Sequence, residues 1–288
     1  LHIPQDTGLI VTVGSGTMND LSRVISTRCH IPYVIIGTAP SMDGYASATS
    51  AVLVDGDKIS VPLQSPYGIL CDTELMRTAP EMMLAAGFCD VLGKYIAIRD
   101  WQLSERETGE YFCPYIAGLV TSAVSECIKE ADRLFDGDEK VLLAIANALV
   151  LSGVTISMYG ISRPAAGGEH RIAHCWEVAA VNSGNNRFLH GNYVGLGTLV
   201  MAKLYELAEK EENLPPYEDM PSFEQIQAYL NKMRGYSSFE TLQITKEMLG
   251  ESLRHAAKSK ARYTLLTYLE GKGRLEKYIQ LLEKEFFG

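Results

Sequence analysis

The 288-residue sequence is short of positive charge: 26 lysines and arginines face 35 aspartates and glutamates, for a formal net charge of −9. A nucleic-acid groove or an anionic membrane surface selects for clustered Lys and Arg, so neither is expected as the main partner, although a small anion can still be held locally. The sequence also lacks any Cys-x-x-Cys pair. Cys29, Cys71, Cys89, Cys113, Cys127 and Cys175 are scattered without regular spacing, which reads as reduced thiols and predicts a cytoplasmic protein. No basic segment followed by an apolar run opens the chain, so a signal peptide is not expected. Internal repeats and low-complexity tracts are missing too. One apolar run, Val141 to Tyr159, is long enough to cross a bilayer, but Asn147, Ser152, Thr155 and Ser157 interrupt it and Asp138, Glu139 and Lys140 lead into it. That pattern favours a buried core helix.

Apolar residues at 47% and charged residues at 21% are ordinary for a globular chain, and the length allows one large domain or two ordinary ones. Leu9 to Val13 is a short β-branched run, Gly14-Ser15-Gly16-Thr17 is a turn, and Leu21, Val24 and Ile25 follow at helical spacing. With a second strand at Tyr33 to Ile36 they form one βαβ unit of a parallel sheet. Runs at 51–54 and 58–61 flank Asp55-Gly56-Asp57, a hairpin signal. From Thr78 the pattern turns helical: Pro80 sits at a first turn, Met83 to Ile98 carry an apolar face, and further helices are predicted at about 116–134, 139–159, 169–182, 190–211, 222–233, 245–258 and 274–286. A βαβ unit of about 35 residues is too small for a doubly wound sheet, which uses two such halves. Either another chain completes the sheet or its N-terminal half is missing.

Three segments carry candidate chemistry. A glycine turn between strand and helix is where backbone N–H groups and the helix dipole hold a phosphate, though such turns also arise for packing alone. The loop Gly37 to Ser47 leaves the C-terminal end of a strand, where ligands bind in open α/β sheets; Thr38, Ser41 and Ser47 offer hydroxyls and Asp43 a carboxylate, while Pro, Asp and Gly also suit a plain turn. His170 and His174 share one helical face, and His190 opens the next helix. Two histidines from neighbouring helices with one carboxylate make a three-ligand metal site with open positions. Asp90, inside an apolar helical stretch, is the obvious carboxylate, because burying it there is costly unless something pairs with it. Unrelated structural roles for these side chains are the competing reading. The expected fold class is therefore α/β, a partial Rossmann-like N-terminal domain over residues 1–77 followed by an all-helical metal-binding domain over 78–288.

Taken in order, GSGTMND (14–20), GTAPSMDGYAS (37–47), AAGFCDVLGK (85–94), SRPAAGGEHRIAH (162–174) and LHGNYVGLGTL (189–199) resemble the sn-glycerol-1-phosphate dehydrogenase family of the iron-containing alcohol dehydrogenase and dehydroquinate synthase-like superfamily. The resemblance implies that Gly14, Ser15, Gly16, Thr17 and Met18, with Thr38, Ala39, Pro40 and Ser41, line the phosphates and nicotinamide of NAD(P), and that Ser47 also touches the cofactor. It implies Asp43 and His174 as catalytic substrate contacts, and Asp90, His170 and His190 as ligands of one divalent metal, zinc or nickel, with Asp90 also facing the substrate. The implied reaction interconverts dihydroxyacetone phosphate and sn-glycerol 1-phosphate, the metal polarising the C2 oxygen and the nicotinamide exchanging hydride. Other branches carry a fourth ligand histidine four residues after the aspartate; here Lys94 stands there. Cys89 replaces a usual glycine, and Lys94, Arg163, Arg171 and Arg262 are the candidate cations for the substrate phosphate. The family also has a βαβ half, roughly 60–100 residues by the size of such units, upstream of the first strand seen here. A homo-oligomer of apolar helices is expected. Two alternatives stand beside this: a glycerol dehydrogenase-like enzyme for unphosphorylated polyols, and a non-catalytic metal-binding or oligomerisation paralogue.

Overall fold

The computed structural model describes the chain except residues 1–2, 55–56, 186, 216, 218–219 and 259–261, and the backbone alone over 51–60. Its first part comprises β1 (Ile10–Gly14), α1 (Gly16–Cys29), β2 (Tyr33–Gly37), β3 (Thr49–Val54), β4 (Asp57–Pro62), β5 (Gly68–Cys71) and the single turn α2 (Thr73–Met76). The rest is helical: α3 (Glu81–Thr108), α4 (Pro114–Lys129), α5 (Glu139–Tyr159), α6 (Gly168–Asn182), α7 (His190–Glu212), α8 (Phe223–Lys232), α9 (Phe239–Leu242), α10 (Lys246–Lys258), α11 (Leu265–Gly271) and α12 (Leu275–Phe287).

Strands β1, β2 and β5 run parallel in that spatial order, with Gly14 level with Gly37 and Gly37 level with Cys71, so the strands end together at one edge. β3 and β4 pair antiparallel as a separate ribbon, as the hairpin signal predicts; the turn at Asp55-Gly56 lies outside the described residues. α1 forms where expected but buries the opposite face from the expected one. Asn19, Ser22, Arg23 and Ser26 point inward, while Met18 and Leu21 stand about half exposed. The reason is the partner: Arg23 donates from its Nε to Tyr33 and from its two amino groups to the Gly44, Tyr45 and Thr49 carbonyls and Ser50 Oγ, so the inner face of α1 ties down a polar loop instead of filling an apolar core.

The helical part packs around α3. From Leu84 to Ser104 nearly every residue of this helix is buried, whichever side it faces, as expected of a helix enclosed on all sides by α4, α5, α6 and α7. One continuous core runs from Leu84 to Leu282, whereas the sheet has its own small cluster of Tyr33, Ile35 and Tyr45. The apolar run at Val141 belongs to α5, which is long and apolar enough to span a bilayer by length and composition. Leu142, Ile145 and Leu149 on it are fully buried in the helical core. The predicted helix at 116–134 is two elements, since α4 stops at Lys129 and a 3₁₀ segment covers Ala131–Asp136. α2, α9 and α11 are short helices that hydrophobic periodicity does not reveal.

Candidate metal and cofactor site

Two close approaches bring the loop after β2 against the helices. Gly87 of α3 lies under the Pro40 carbonyl, and a Cβ at position 87 would sit 1.7 Å from that oxygen. Gly153 of α5 lies under residues 43–47 in the same way, with the Asp43 carbonyl 2.9 Å from a notional Cβ. The loop therefore rests on bare backbone at both points. It is also tied to the turn after β1: Thr38 donates its backbone N–H to the Gly14 carbonyl, and the Met42 side chain touches Gly16. Gly14 to Met18 and Thr38 to Ser41 thus meet at the carboxyl edge of β1 and β2, where an open α/β sheet binds ligands. Ser15 caps α1 without a side-chain hydrogen bond and no acidic residue occupies the first turn, so these amide donors are left for an anion. Ser47 differs from the rest. It is 3% exposed, and its hydroxyl is exchanged with Thr49 inside the loop.

Asp43 follows in a 3₁₀ turn and stands directly over α3. Its backbone N–H donates to Asp90 Oδ2 at 3.0 Å, and its Oδ2 accepts from Lys94 Nζ at 2.7 Å and from Ser152 Oγ of α5 at 3.0 Å. Lys94 also donates to Asp90 Oδ1 at 2.6 Å, one helical turn away. Asp90 is completely buried and Lys94 nearly so. Burial would push the Asp90 carboxyl up, but the Lys94 ammonium, the hydrogen bond from His170 and the two nearby imidazoles prevail and hold it well below the usual carboxylate range. For Lys94 burial pulls downward, and the Asp43 and Asp90 carboxylates outweigh it to keep the ammonium charged. Breaking one partner of such a buried set is strongly destabilising, by about 3–5 kcal/mol.

The histidines arrive from α6 and from the start of α7. His170 Nε2 lies 3.4 Å from Asp90 Oδ1, and the His170 and His190 rings are 5.2 Å apart. His174, one turn further along α6, has its ring 6.4 Å from His170 and 5.5 Å from His190. Ligand atoms of Asp90, His170 and His190 all lie within 4.8 Å of one another. This donor set, two imidazoles and a carboxylate, suits a divalent metal. His174, Glu177 and His190 also lie within 4.8 Å of one another by their ligand atoms, but Glu177 already accepts from His190 Nδ1 at 3.1 Å, and the first set is the more enclosed.

The structure brings Asp43, Asp90, His170, His174 and His190 close together, beside four side chains that the sequence does not single out. Ser152 is hidden in an apolar run, and Glu169 and Glu177 look like surface acids on α6. Asp100, fully buried on α3, carries the same signal as Asp90, a carboxylate in an apolar stretch. The candidate phosphate cations fare differently. Lys94 is in the cleft but held by two carboxylates, whereas Arg163 is buried and bidentate to Glu110 beyond the far end of α3, and Arg262 donates to the Ala166 carbonyl and Ser162 Oγ. Arg171 is largely buried with its Nε unpartnered, and burial beside Arg163 pulls its guanidinium down. Cys89 does not crowd α3: its Sγ sits against Gly195 and 3.3 Å from Ser237 Oγ, and burial pushes the thiol up to about 12.

Known proteins resemble this chain in sequence and in fold. A family model described as iron-containing alcohol dehydrogenase matches residues 1–80. A glycerol-1-phosphate dehydrogenase [NAD(P)+] from Halalkalibacterium halodurans is 32% identical over 91% of this chain and 71% of its own length. One of the same name from Methanosarcina mazei is 34% identical over 89% of this chain and 67% of its own length. Among solved structures, a probable glycerol dehydrogenase from Sinorhizobium meliloti superposes with a TM-score of 0.70 at 19% identity, covering 96% of this chain and 77% of that one. A sulfoacetaldehyde reductase from Bifidobacterium kashiwanohense, solved with NAD+, superposes with a TM-score of 0.69 at 15% identity, covering 96% and 76%. The fold is that of the iron-containing alcohol dehydrogenases, and the chain belongs to the glycerol-1-phosphate dehydrogenase family.

Proposed function

We propose that this chain is an oxidoreductase interconverting dihydroxyacetone phosphate and sn-glycerol 1-phosphate with NAD(P)H and one divalent metal, zinc or nickel. The observation that carries this reading is the convergence of Asp90, His170 and His190 beside Asp43 and His174, directly under the loop that follows β2. Asp90, His170 and His190 would hold the metal. Bound there, it supplies a Lewis acid for the substrate's C2 oxygen, while the nicotinamide supplies or takes up hydride at C2.

The chain's own groups do the rest. The uncapped first turn of α1 and the residues Thr38 to Ser41 hold the dinucleotide phosphates and the nicotinamide end. Ser47, enclosed in its loop, acts by shaping that loop. Asp43, fixed by Lys94 and Ser152, accepts a hydrogen bond from a substrate hydroxyl, and His174 moves the proton to or from the substrate oxygen through its imidazole. Burial of Asp90 and Lys94 keeps water away from the floor of the cleft.

The separate cores support a division into a cofactor unit over 1–77 and a metal and substrate unit over 78–288. A homo-oligomer in the cytoplasm, with no nucleic acid or membrane partner, completes the reading. One observation favours the second reading, an enzyme for unphosphorylated glycerol: Arg163 and Arg262 are engaged elsewhere and Lys94 is held by two carboxylates. The deciding experiment measures NADH- and NADPH-dependent reduction of dihydroxyacetone phosphate and of dihydroxyacetone, with zinc or nickel supplied. Turnover of the phosphorylated ketone alone supports the first reading, and turnover of both at similar kcat/KM supports the second. Stoichiometric metal with no cofactor binding and no turnover would make the chain a non-catalytic metal-binding paralogue.

A further inference from the structure

We infer that Glu169 and Glu177 are positioning residues that set the tautomer and aim of the two ligand histidines, so that both present Nε2 to the ion. The inference rests on the reading of Asp90, His170 and His190 as metal ligands. Each imidazole has one ring nitrogen engaged by a carboxylate of α6: His170 Nδ1 lies 2.7 Å from Glu169 Oε1, and His190 Nδ1 lies 3.1 Å from Glu177 Oε2. A carboxylate accepts at each Nδ1, which favours a proton there and leaves Nε2 as the nitrogen that gives up any proton, such as the one shared with Asp90 in His170, to an incoming ion. His170 Nε2 is the nitrogen turned toward Asp90. One helix thus provides a ligand, His170, together with the hydrogen-bond acceptors for both ligand histidines.

The two supports are not equal. Glu169 is fully buried, and its Oε1 also accepts from the Gly167 backbone N–H at 2.8 Å, while its Oε2 has no hydrogen-bond partner. A buried carboxylate with an unpaired oxygen is costly to fold, so its place beside His170 is better explained by what it does to the ring than by stability. Its backbone is fixed one step further back. Asp100 of α3 accepts from the Gly168 N–H through Oδ2 and from Tyr205 of α7 and the Leu265 N–H of α11 through Oδ1. The start of α6, and with it the height of His170, is therefore held by three neighbouring helices. Glu177 is 13% exposed and faces His190, itself 25% exposed, so this second support is less enclosed than the first.

The two supports also explain how a three-ligand site holds its shape without a fourth protein ligand. Lys94 occupies the position one turn after Asp90 and brings a cation where another branch brings a ligand, so ring orientation has to be fixed from outside the ion. Carboxylate partners of this kind typically contribute about 10–100-fold in metal affinity.

The test uses the whole chain and zinc as the probe. Zinc affinity is measured by competition with a chromophoric chelator for the parent, E177Q, E177A and E169Q, and the ring protons are located by long-range 1H–15N spectra of the histidines. The expected result is an affinity order of parent, then Gln, then Ala, with E177A weakened about 10–100-fold and its His190 no longer held in the Nδ1–H form. E169Q should lower affinity more than E177Q. If E177A and E169Q bind zinc within twofold of the parent and leave the ring spectra unchanged, the carboxylates do not position the histidines. A parent that binds no zinc overturns the metal site itself, whereas a parent that binds zinc without turnover leaves this inference standing and sinks the proposed reaction.

Discussion

The two parts of the molecule are built on different principles. The helical part buries α3 on all sides, and its apolar core extends through to α12. The sheet part has a core cluster of three residues, leaves Val11, Val13 and Leu70 more than half exposed on one face, and fixes its loop to α1 through the buried guanidinium of Arg23. Hydrophobic burial is non-directional and sets where helices lie, whereas a hydrogen-bonded arginine is directional and sets where particular carbonyls lie. Asp90, His170 and His190 sit on the first kind of support, whereas the loop after β2 adds the second kind to its contacts with α3 and α5.

That contrast can be broken in the helical part first. Trp101 is fully buried, stacks edge-on against Phe112 and Tyr159 and donates from Nε1 to the Tyr111 carbonyl at 2.9 Å. Trp101→Ala should cost about 3–5 kcal/mol by chemical denaturation and lower stability of the whole helical part together. Arg23→Met comes next. It leaves several loop carbonyls without their donor, at about 1–3 kcal/mol, and should weaken NADH binding by fluorescence titration while leaving zinc affinity within twofold. Equal losses of both would mean that the two parts do not have separate supports.

A pH experiment comes third. Burial, then the neighbouring Glu169, push the Asp100 carboxyl up to about 6, against the downward pull of the hydrogen bonds it accepts from Tyr205 and from two backbone amides. In the unfolded chain it titrates near 3.8, so between these two values the folded state binds the proton more tightly. Its contribution to stability is full below about pH 4 and is lost as pH rises through about 6, on the order of 2–3 kcal/mol. Asp100→Asn should flatten that part of the stability curve; a curve unchanged in shape would refute the raised value. The smallest effect belongs to the open face of the sheet. Val13→Thr should change stability by less than about 0.5 kcal/mol, and a larger loss would show that this face is covered in solution.

Sequence reading succeeds where one physical rule dominates. α3, α5 and α7 are long runs rich in apolar residues, Asp90 stands out because a polar group in apolar surroundings must be paired, and His170, His174 and His190 stand out by their helical spacing. It fails where tertiary context decides. α1 shows its apolar residues at helical spacing, yet the side chains that meet Tyr33 and the 43–50 loop are Asn19 and Arg23, because the neighbours to be satisfied are carbonyls. α11 is only seven residues long, and its one local signal is the Thr264 cap that accepts from the Thr267 N–H. Glu177 is indistinguishable in sequence from any exposed helical glutamate; only the fold places it 3.1 Å from His190 Nδ1.

The contact of Gly87 with the Pro40 carbonyl makes the spacing between two chemical centres depend on an atom that is absent. Position 87 lies three residues before Asp90 on the same helix, so side-chain size there works as a shim between the loop after β2 and the helix that carries Asp90. A single methyl group would lift the loop without touching a ligand, and hydride transfer falls off steeply when donor and acceptor are held apart. The distance between the loop and Asp90 is therefore set at a residue that has no functional group.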